Sequence, residues 1–287
     1  MYDHDKIANV EGLPKPAKGS TELKALETFA SEVPIILHTV NEYETQAVLG
    51  EMDAPKLQLP TQIEGPINLL NVPNKIILGM FGGYKSALVQ TKQGENCKGE
   101  IEDALDRLSN IRAVIAIGVA YSKTQYKFGD VLVSKTIRAV TTPKFKEDRI
   151  DPRSSEFNCV PVLDELMNTF TRNLGTWKDF TCTDTGRNSI VYTGDIVSVS
   201  WLIADRETRD KLLENFPDAI GGEMEGVELV KIQKAHNIGV IIIKGAADYG
   251  DQKKQGGKKW QFTAAKAATS YAKHKLEKTT GQLFADD

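Results

Sequence analysis

The sequence predicts a single α/β domain with a mixed, mostly parallel central sheet flanked by helices. Three observations carry that prediction. Two runs, Ala113-Val-Ile-Ala-Ile117 and Gly239-Val-Ile-Ile-Ile-Lys244, are apolar almost without interruption, as in strands buried on both faces of a parallel sheet. Between the strand candidates lie stretches with apolar residues at helical spacing, and such alternation builds parallel sheets covered on both sides. At 287 residues and 40% hydrophobic content, the chain is long enough for one sizeable core.

From the N-terminus, residues 1–32 are polar, with Pro14, Pro16 and a short helical pattern at Leu23–Ala30. They read as an arm or linker ahead of a domain at 33–287. Pro34–His38 is a short apolar strand entering a helix-like stretch, Tyr43–Met52. Lys75–Gly79 is a second strand, and Gly82-Gly83 precedes helical patterning from Lys85. Glu100–Leu108 has helical spacing and leads to the strand Ala113–Ile117. Val131–Val133 follows a Gly-Asp turn as the next strand, and the charged, turn-rich residues 142–158 read as a surface loop. Val160–Phe170 reads as a helix, and Ser189–Tyr192 as a strand leading to Thr193-Gly194-Asp195. Arg206–Asn215 is an amphipathic helix ending at Phe216-Pro217. Ala219–Gly222 leads into the helix Glu225–Ala235; after the strand at 239–244 comes the alanine-rich helix Phe262–Lys275.

Composition excludes several function classes. Lys and Arg number 36 against 39 Asp and Glu, a net charge of −3, which argues against generic nucleic-acid binding. No 18-residue apolar run is present to span a bilayer, and the polar N-terminus lacks the apolar region of a secretory signal. Cys97, Cys159 and Cys182 are too few and too scattered for a disulfide framework or a zinc site. They read as free thiols of a cytoplasmic protein.

In open α/β sheets ligands bind beyond the carboxyl ends of the strands. The groups at those ends are Glu42 and Glu44, Gly82-Gly83, Gly118-Val119-Ala120, Thr193-Gly194-Asp195, Glu223-Met224-Glu225, and Asp248 with Asp251. Carboxylates dominate. No G-x-S-x-G elbow, P-loop or H-E-x-x-H motif appears, and the four histidines are isolated. Paired carboxyl groups suit displacement at a sugar anomeric carbon, where one acid protonates the leaving group and another carboxylate orients water. Asp248 lies four residues past Lys244 behind two alanines, a place suited to partial desolvation, which holds a carboxyl neutral. The pattern alone leaves a second reading open, an aspartate capping the next segment.

Four blocks, in order over roughly residues 34–277, carry a family resemblance. They are Glu44-Thr-Gln-Ala-Val48, Phe128-Gly-Asp-Val-Leu-Val-Ser134, Phe216-Pro-Asp-Ala-Ile-Gly-Gly-Glu-Met-Glu-Gly226 and Lys244-Gly-Ala-Ala-Asp248. Together they resemble the nucleoside phosphorylase/nucleosidase superfamily, most closely its methylthioadenosine/S-adenosylhomocysteine nucleosidase-like branch. The resemblance implies a nucleoside phosphorylase-like fold and a division of labour. Protonated Asp248 donates to purine N7, Glu225 accepts from the ribose hydroxyls with the Met224 backbone and side chain bracketing the sugar, Glu44 orients water, and Glu223 counts among the substrate-binding residues. Gly118 and Val119 fall among the substrate-binding positions. Val197 and Ser198 correspond to positions that stack on and read the purine, unless they are ordinary core and turn residues.

Phosphorolytic relatives place an arginine and a serine or threonine around the glycine of Ala116-Ile-Gly-Val119, where this chain has neither. Without such donors inorganic phosphate is poorly held, so hydrolysis is expected over phosphorolysis. Tyr121 stands where the family often has glycine. The stretch Asp248-Tyr-Gly-Asp-Gln-Lys-Lys-Gln-Gly-Gly-Lys-Lys-Trp-Gln261 is similar to nucleosidase-like domains of immune-type and antiphage proteins, some of which act on adenine nucleotides including ATP. Lys253, Lys254, Lys258 and Lys259 either hold phosphates there or form a solvated loop, and Trp260 reads as a packing anchor. The expectation is therefore a purine N-ribohydrolase acting on an adenine nucleoside or nucleotide, with a defence role implied by the resemblance alone. The rivals are a phosphorylase of the same fold and a non-catalytic nucleotide sensor. The expected partners are the small-molecule purine substrate and, by analogy with relatives, further copies of the chain, with no nucleic acid, membrane, metal or organic cofactor.

Overall fold

The two apolar runs lie side by side at the centre of a ten-stranded sheet in the computed structural model. The structure describes residues 16–17, 19–57, 66–69, 76–94, 97–141, 144–145, 150–151, 154–158, 164–171, 177, 181–182, 186–201, 203, 205–250, 257–279 and 283–284. In chain order the elements are α1 (Thr21–Ser31), β1 (Ile35–Thr39), α2 (Glu42–Leu49), β2 (Ile67–Leu69), β3 (Ile76–Phe81), β4 (Tyr84–Gln90), α3 (Cys97–Leu105) and β5 (Ala113–Ser122). There follow β6 (Val131–Val140), β7 (Lys144–Phe145), β8 (Ile150–Asp151), β9 (Ser154–Asn158), α4 (Asp164–Thr171), β10 (Thr181–Cys182) and β11 (Arg187–Asn188). The chain continues through β12 (Val191–Val199), α5 (Arg206–Glu214), β13 (Ala219–Glu223), α6 (Gly226–His236), β14 (Gly239–Asp248) and α7 (Gly257–Glu277).

The sheet runs β2-β3-β4-β1-β5-β14-β6-β12-β13, with β9 added to β6. Its longest ladders, β5 with β14 and β6 with β12, are parallel. Antiparallel pairing of β13 with β5 curls one half of the sheet back on itself, so that β5, β14, β6, β12 and β13 close a ring. Successive residues of a strand face opposite sides, and the core follows that rule. Ile36, Ala116, Val240 and Ile242 face a layer built with Ile101 of α3 and Leu229 and Ile232 of α6. Ile35, Ile115, Ile117, Ile241 and Ile243 face a second layer built with Val48 of α2 and Ala267, Ala268 and Tyr271 of α7. No helix among the described residues is long and apolar enough to cross a membrane.

Several elements differ from the sequence reading. The helix expected from Lys85 is strand β4, paired in parallel with β1 and antiparallel with β3. Gly82 and Gly83 form the two-residue turn between β3 and β4, with φ of +58° and +86°, a combination that favours glycine and suits a tight hairpin. A side chain at Gly82 would also strike Leu276 of α7. Part of the expected loop at 142–158 is β9, which adds to β6 over Thr136–Val140. The central strands outrun their apolar cores: β5 continues to Ser122, β12 to Val199 and β14 to Asp248. Finally, α1 lies inside the stretch read as an arm, yet its Leu26 and Phe29 enter the same core layer as Ile36 and Leu78. Ser20 caps this helix, its hydroxyl accepting from the Leu23 amide at 3.1 Å.

Candidate active site

The strand extensions matter because they end around one half-open cavity. Its wall draws on Val119 and Tyr121 from the end of β5, Glu223, Met224 and Glu225 from β13 and its exit, and Asp248 from the end of β14. Glu44 of α2, Val199 from the end of β12, and Trp201 and Ile203 just after it also line it.

Glu44 is fixed before any ligand arrives. Asn41 caps α2, its Oδ1 accepting from the Glu44 amide at 3.0 Å, and this turns the side chain of Glu44 towards the sheet. There the Val40 amide donates to Oε2 and the Val119 amide to Oε1, each at 2.8 Å. Gly118 makes the approach possible, since a Cβ at that position would lie 2.1 Å from Glu44 Oε1. Burial pushes the Glu44 carboxyl above its ordinary range and the charge of Glu225 adds to this, while Lys244 and the two amides oppose it.

The Glu223-Met224-Glu225 segment divides its duties. The first amides of a helix lack partners within it. At the start of α6, Glu223 accepts from the amides of Glu225 and Gly226 at 2.8–3.1 Å, and Ser198 Oγ accepts from Val227 at 2.9 Å. Glu225 is thereby released from capping. Its Oε1 accepts from the Gly94 amide at 3.3 Å, and its Oε2 lies 3.6 Å from Lys244 Nζ. Burial raises the Glu223 carboxyl above its ordinary value, helped by the charge of Glu225 and opposed by Lys244.

Beneath these carboxylates lies Lys244, fully buried on β14 beside Gly118, with Nζ also 3.9 Å from Glu44 Oε1. Burial lowers its proton affinity, but Glu44, Glu225 and Glu223 outweigh that and keep it raised. His38, buried on β1, is held neutral, its value lowered to about 3 by burial and by the charge of Lys244. It bonds Thr91 at 2.8 Å and does not line the cavity.

Asp248 lines the same cavity, its Oδ1 accepting from the Gly250 amide at 2.7 Å. Gly250 has φ of +63°, which favours glycine, and turns the chain sharply back. Buried Arg209 of α5 fastens that turn by donating to the Tyr249 carbonyl.

The structure thus gathers Glu44, Val119, Glu223, Met224, Glu225 and Asp248 in one wall, with Gly118 directly behind Glu44. Val197 and Ser198 do not line the cavity. Val197 is packed among Leu212, Leu213 and Phe216, and Ser198 secures α6. Because β12 runs on through both residues, it is Val199, Trp201 and Ile203 that reach the pocket. Lys258 and Lys259 stand in the first turn of α7, whose Gln261 lines the cavity, while Lys253 and Lys254 lie outside the described residues. Trp260 packs on Phe128, their ring centroids 5.4 Å apart. Asp130 of the Phe128–Ser134 block serves the fold: it accepts from the amides of Lys127 and Ile190 and pairs with Arg187 at 2.7 Å. Sequence reasoning assigned no role to Lys244, Trp201, Tyr121 or Arg209. A lysine within the most apolar strand was a legible sign of the first, and an aromatic just beyond a strand of the second.

A model of the phosphorylase superfamily matches residues 45–278. The death domain-containing ATP nucleosidase of Amphimedon queenslandica is 26% identical over 276 residues, which take in 89% of this chain and 50% of that protein. The chain therefore spans about half the length of the curated relative it matches. Among solved structures, the 5'-methylthioadenosine/S-adenosylhomocysteine nucleosidase of Neisseria meningitidis, in complex with methylthio-immucillin-A, superposes with a TM-score of 0.64 at 17% identity. That match covers 85% of this chain and 99% of the other. Futalosine hydrolase of Helicobacter pylori gives 0.63 at 13% identity, covering 86% and 98%. At such identities these structures speak to the fold.

Proposed function

The chain belongs to the phosphorylase superfamily, and from that premise we propose that it hydrolyses the N-glycosidic bond of an adenine nucleoside or nucleotide. The observation that carries the reading is the placement of Asp248, Glu225 and Glu44 around one cavity, with Glu44 pinned by two amides. Asp248 donates its proton to the purine as the bond to C1′ breaks. Glu225 accepts from the ribose hydroxyls, and these bonds strengthen as positive charge develops on the ring. Glu44 orients the attacking water and takes its proton. Met224, Val199, Trp201 and Ile203 supply an apolar wall for base and sugar.

Water is favoured over phosphate as the nucleophile, because among the described residues the cavity wall contains no arginine or lysine and its floor is rich in carboxylates. ATP is the substrate we favour, on the strength of the name of the curated relative. Its phosphates would lie by the first turn of α7, where Lys258 and Lys259 stand and which contains no acidic residue. In this reading residues 33–287 form the catalytic domain, which works as a cytoplasmic homo-oligomer and depletes nucleotide in defence.

Incubation of the protein with adenosine, methylthioadenosine, AMP and ATP, followed by chromatography, tests the reading. Free adenine is expected at a rate indifferent to added phosphate. Release that depends on phosphate would make the protein a phosphorylase, and tight binding without release would make it a sensor. A second expectation concerns Gly118→Ala, whose methyl group would occupy the space of Glu44 Oε1. Base release should fall about 100-fold through misplacement of Glu44, with substrate affinity largely kept. Steady-state kinetics of that variant decide it, and wild-type turnover would remove Glu44 from the reaction.

A further inference from the structure

The peptide group between Tyr249 and Gly250 is held at both ends. Its N–H, the Gly250 amide, donates to Asp248 Oδ1 at 2.7 Å, and its carbonyl, on Tyr249, accepts from Arg209 of α5. An aspartate that accepts from the amide two residues on is an ordinary turn. A buried guanidinium at the other end of the same peptide is not. Arg209 is only 3% exposed and does not line the cavity. Its Nε and Nη2 donate to Asp210 Oδ1 at 2.9 and 2.6 Å. Asp210, however, is half-exposed and has a second partner in exposed Arg206 at 3.5 Å. A pair with Asp210 could therefore form at the surface, and gives no reason to bury Arg209.

The packing fixes the peptide in this orientation. A Cβ at Gly250 would lie 3.2 Å from the Tyr121 ring of β5 and 3.4 Å from Arg209 Cδ, so the turn is held between β5 and α5. The Tyr249 hydroxyl donates to the Tyr126 carbonyl at 3.1 Å, which anchors the residue from its other end. A hydrogen bond to the carbonyl of a peptide polarises the whole group and makes its N–H a stronger donor. The donor here is a desolvated cation, so the effect at the Asp248 end exceeds that of a neutral donor.

We infer that Arg209 is a positioning residue for the acid: through the Tyr249–Gly250 peptide it aims the Asp248 carboxyl and strengthens the amide that steadies the carboxylate as it forms. The inference rests on the hydrolase reading. In the step, the C1′–N bond breaks with its electron pair passing to the heterocycle, and the proton of Asp248 moves to a ring nitrogen. Water bonds to C1′ and releases its proton to Glu44. Asp248 is left negative, and its bond from Gly250 becomes charge-assisted. The polarised amide thus contributes more in the transition state than before it.

The other titratable groups around Asp248 are Tyr121 of β5, Glu223 and Glu225 at the end of β13, Glu44 in the same cavity wall, and Lys258 and Lys259 in the first turn of α7. Burial keeps the Tyr121 phenol unionised and raises the Glu223 carboxyl. An Asp248→Asn control therefore separates the titration of Asp248 from that of Glu223.

Tyr249-Gly250 is the one Tyr-Gly step in the chain. With carbonyl-13C tyrosine and 15N glycine it gives a single NMR correlation, which reports both the carbonyl that meets Arg209 and the amide that meets Asp248. In the unliganded wild type this peak should titrate with Asp248, and the titration should vanish in Asp248→Asn. A wild-type peak that ignores Asp248 overturns the inference. Arg209→Met removes the cation: the carbonyl resonance should move upfield and the Asp248 midpoint should rise by about one pH unit. Asp248 is then a weaker acid, so kcat should fall about three- to tenfold, with its alkaline limb moved up and KM unchanged. Asp210→Asn leaves the cation less compensated and should shift midpoint and limb the other way. A side chain that merely braces the turn would lower the melting temperature of Arg209→Met and leave midpoint and limb in place, which overturns the inference. Should Arg209→Met fail to fold, Asp210→Asn decides, and an unmoved midpoint overturns it there. Base release by wild type, none by Asp248→Asn and an unshifted Arg209→Met would remove Arg209 and leave the hydrolase reading standing. If wild type releases no base, that reading fails instead, and the Tyr-Gly peak still decides for Arg209.

Discussion

Replacement of Asp248 by asparagine is expected to slow adenine release by about 10²–10⁴-fold, the usual contribution of a positioned general acid. The substitution is nearly isosteric, and its geometry explains why the loss should be chemical. The side-chain oxygen that accepts from the Gly250 amide is retained in asparagine. The turn stays fastened by Arg209 through the Tyr249 carbonyl and by the Tyr249 hydroxyl, which donates to the Tyr126 carbonyl at 3.1 Å. The ring of Tyr249 also keeps its place against Phe128, centroids 4.7 Å apart. What asparagine cannot do is release a proton to the base. KM should therefore change little while kcat collapses, the signature of an interaction made in the transition state. Base release measured under substrate saturation checks this. A variant within threefold or so of wild type would remove Asp248 as the acid, because no positioned acid contributes so little.

The contrast between what was legible in the sequence and what was not has physical causes. Strands β5 and β14 are buried on both faces, so their composition announces them. Strand β4 is as deeply buried, but its Ala87-Leu88-Val89 core is short and flanked by polar residues, and what settles it is long-range pairing with β1 and β3. The same limit applies to the site. Glu223, Met224, Glu225 and Asp248 follow strands whose ends the sequence marks, and they do meet in one cavity. Val197 and Ser198 stay outside the cavity wall because β12 runs to Val199, a length set by its pairing with β6 and β13. Trp201 and Ile203 become wall residues for that reason. Lys244 is read as the end of an apolar run, and only the packing reveals a cation placed under Glu44 and Glu225.

That cation underlies the largest expected loss of stability. Lys244→Met leaves Glu44, Glu223 and Glu225 buried around a site with no counter-charge of its own. Breaking a buried charge pair from one side typically costs about 3–5 kcal/mol, and the cost should depend on pH in a definite sense. Glu44 and Glu223 already have values raised above the ordinary 4.5, so in the folded state they hold protons that the unfolded chain releases. Their contribution to stability is complete below 4.5 and is lost as pH rises through the folded values. Lys244 opposes the rise, so its removal carries both values higher and extends the range over which stability falls. Thermal unfolding from about pH 4.5 to about pH 8 should show a melting temperature that drops more steeply in the variant than in wild type. Parallel curves would mean that Lys244 does not neutralise this cluster. Activity should move the opposite way, since Glu44 takes the proton of water only when ionised and a raised value delays ionisation to higher pH. The variant would then hold together best in acid and turn over best in alkali, a separation of optima that follows from one ammonium placed between two carboxylates.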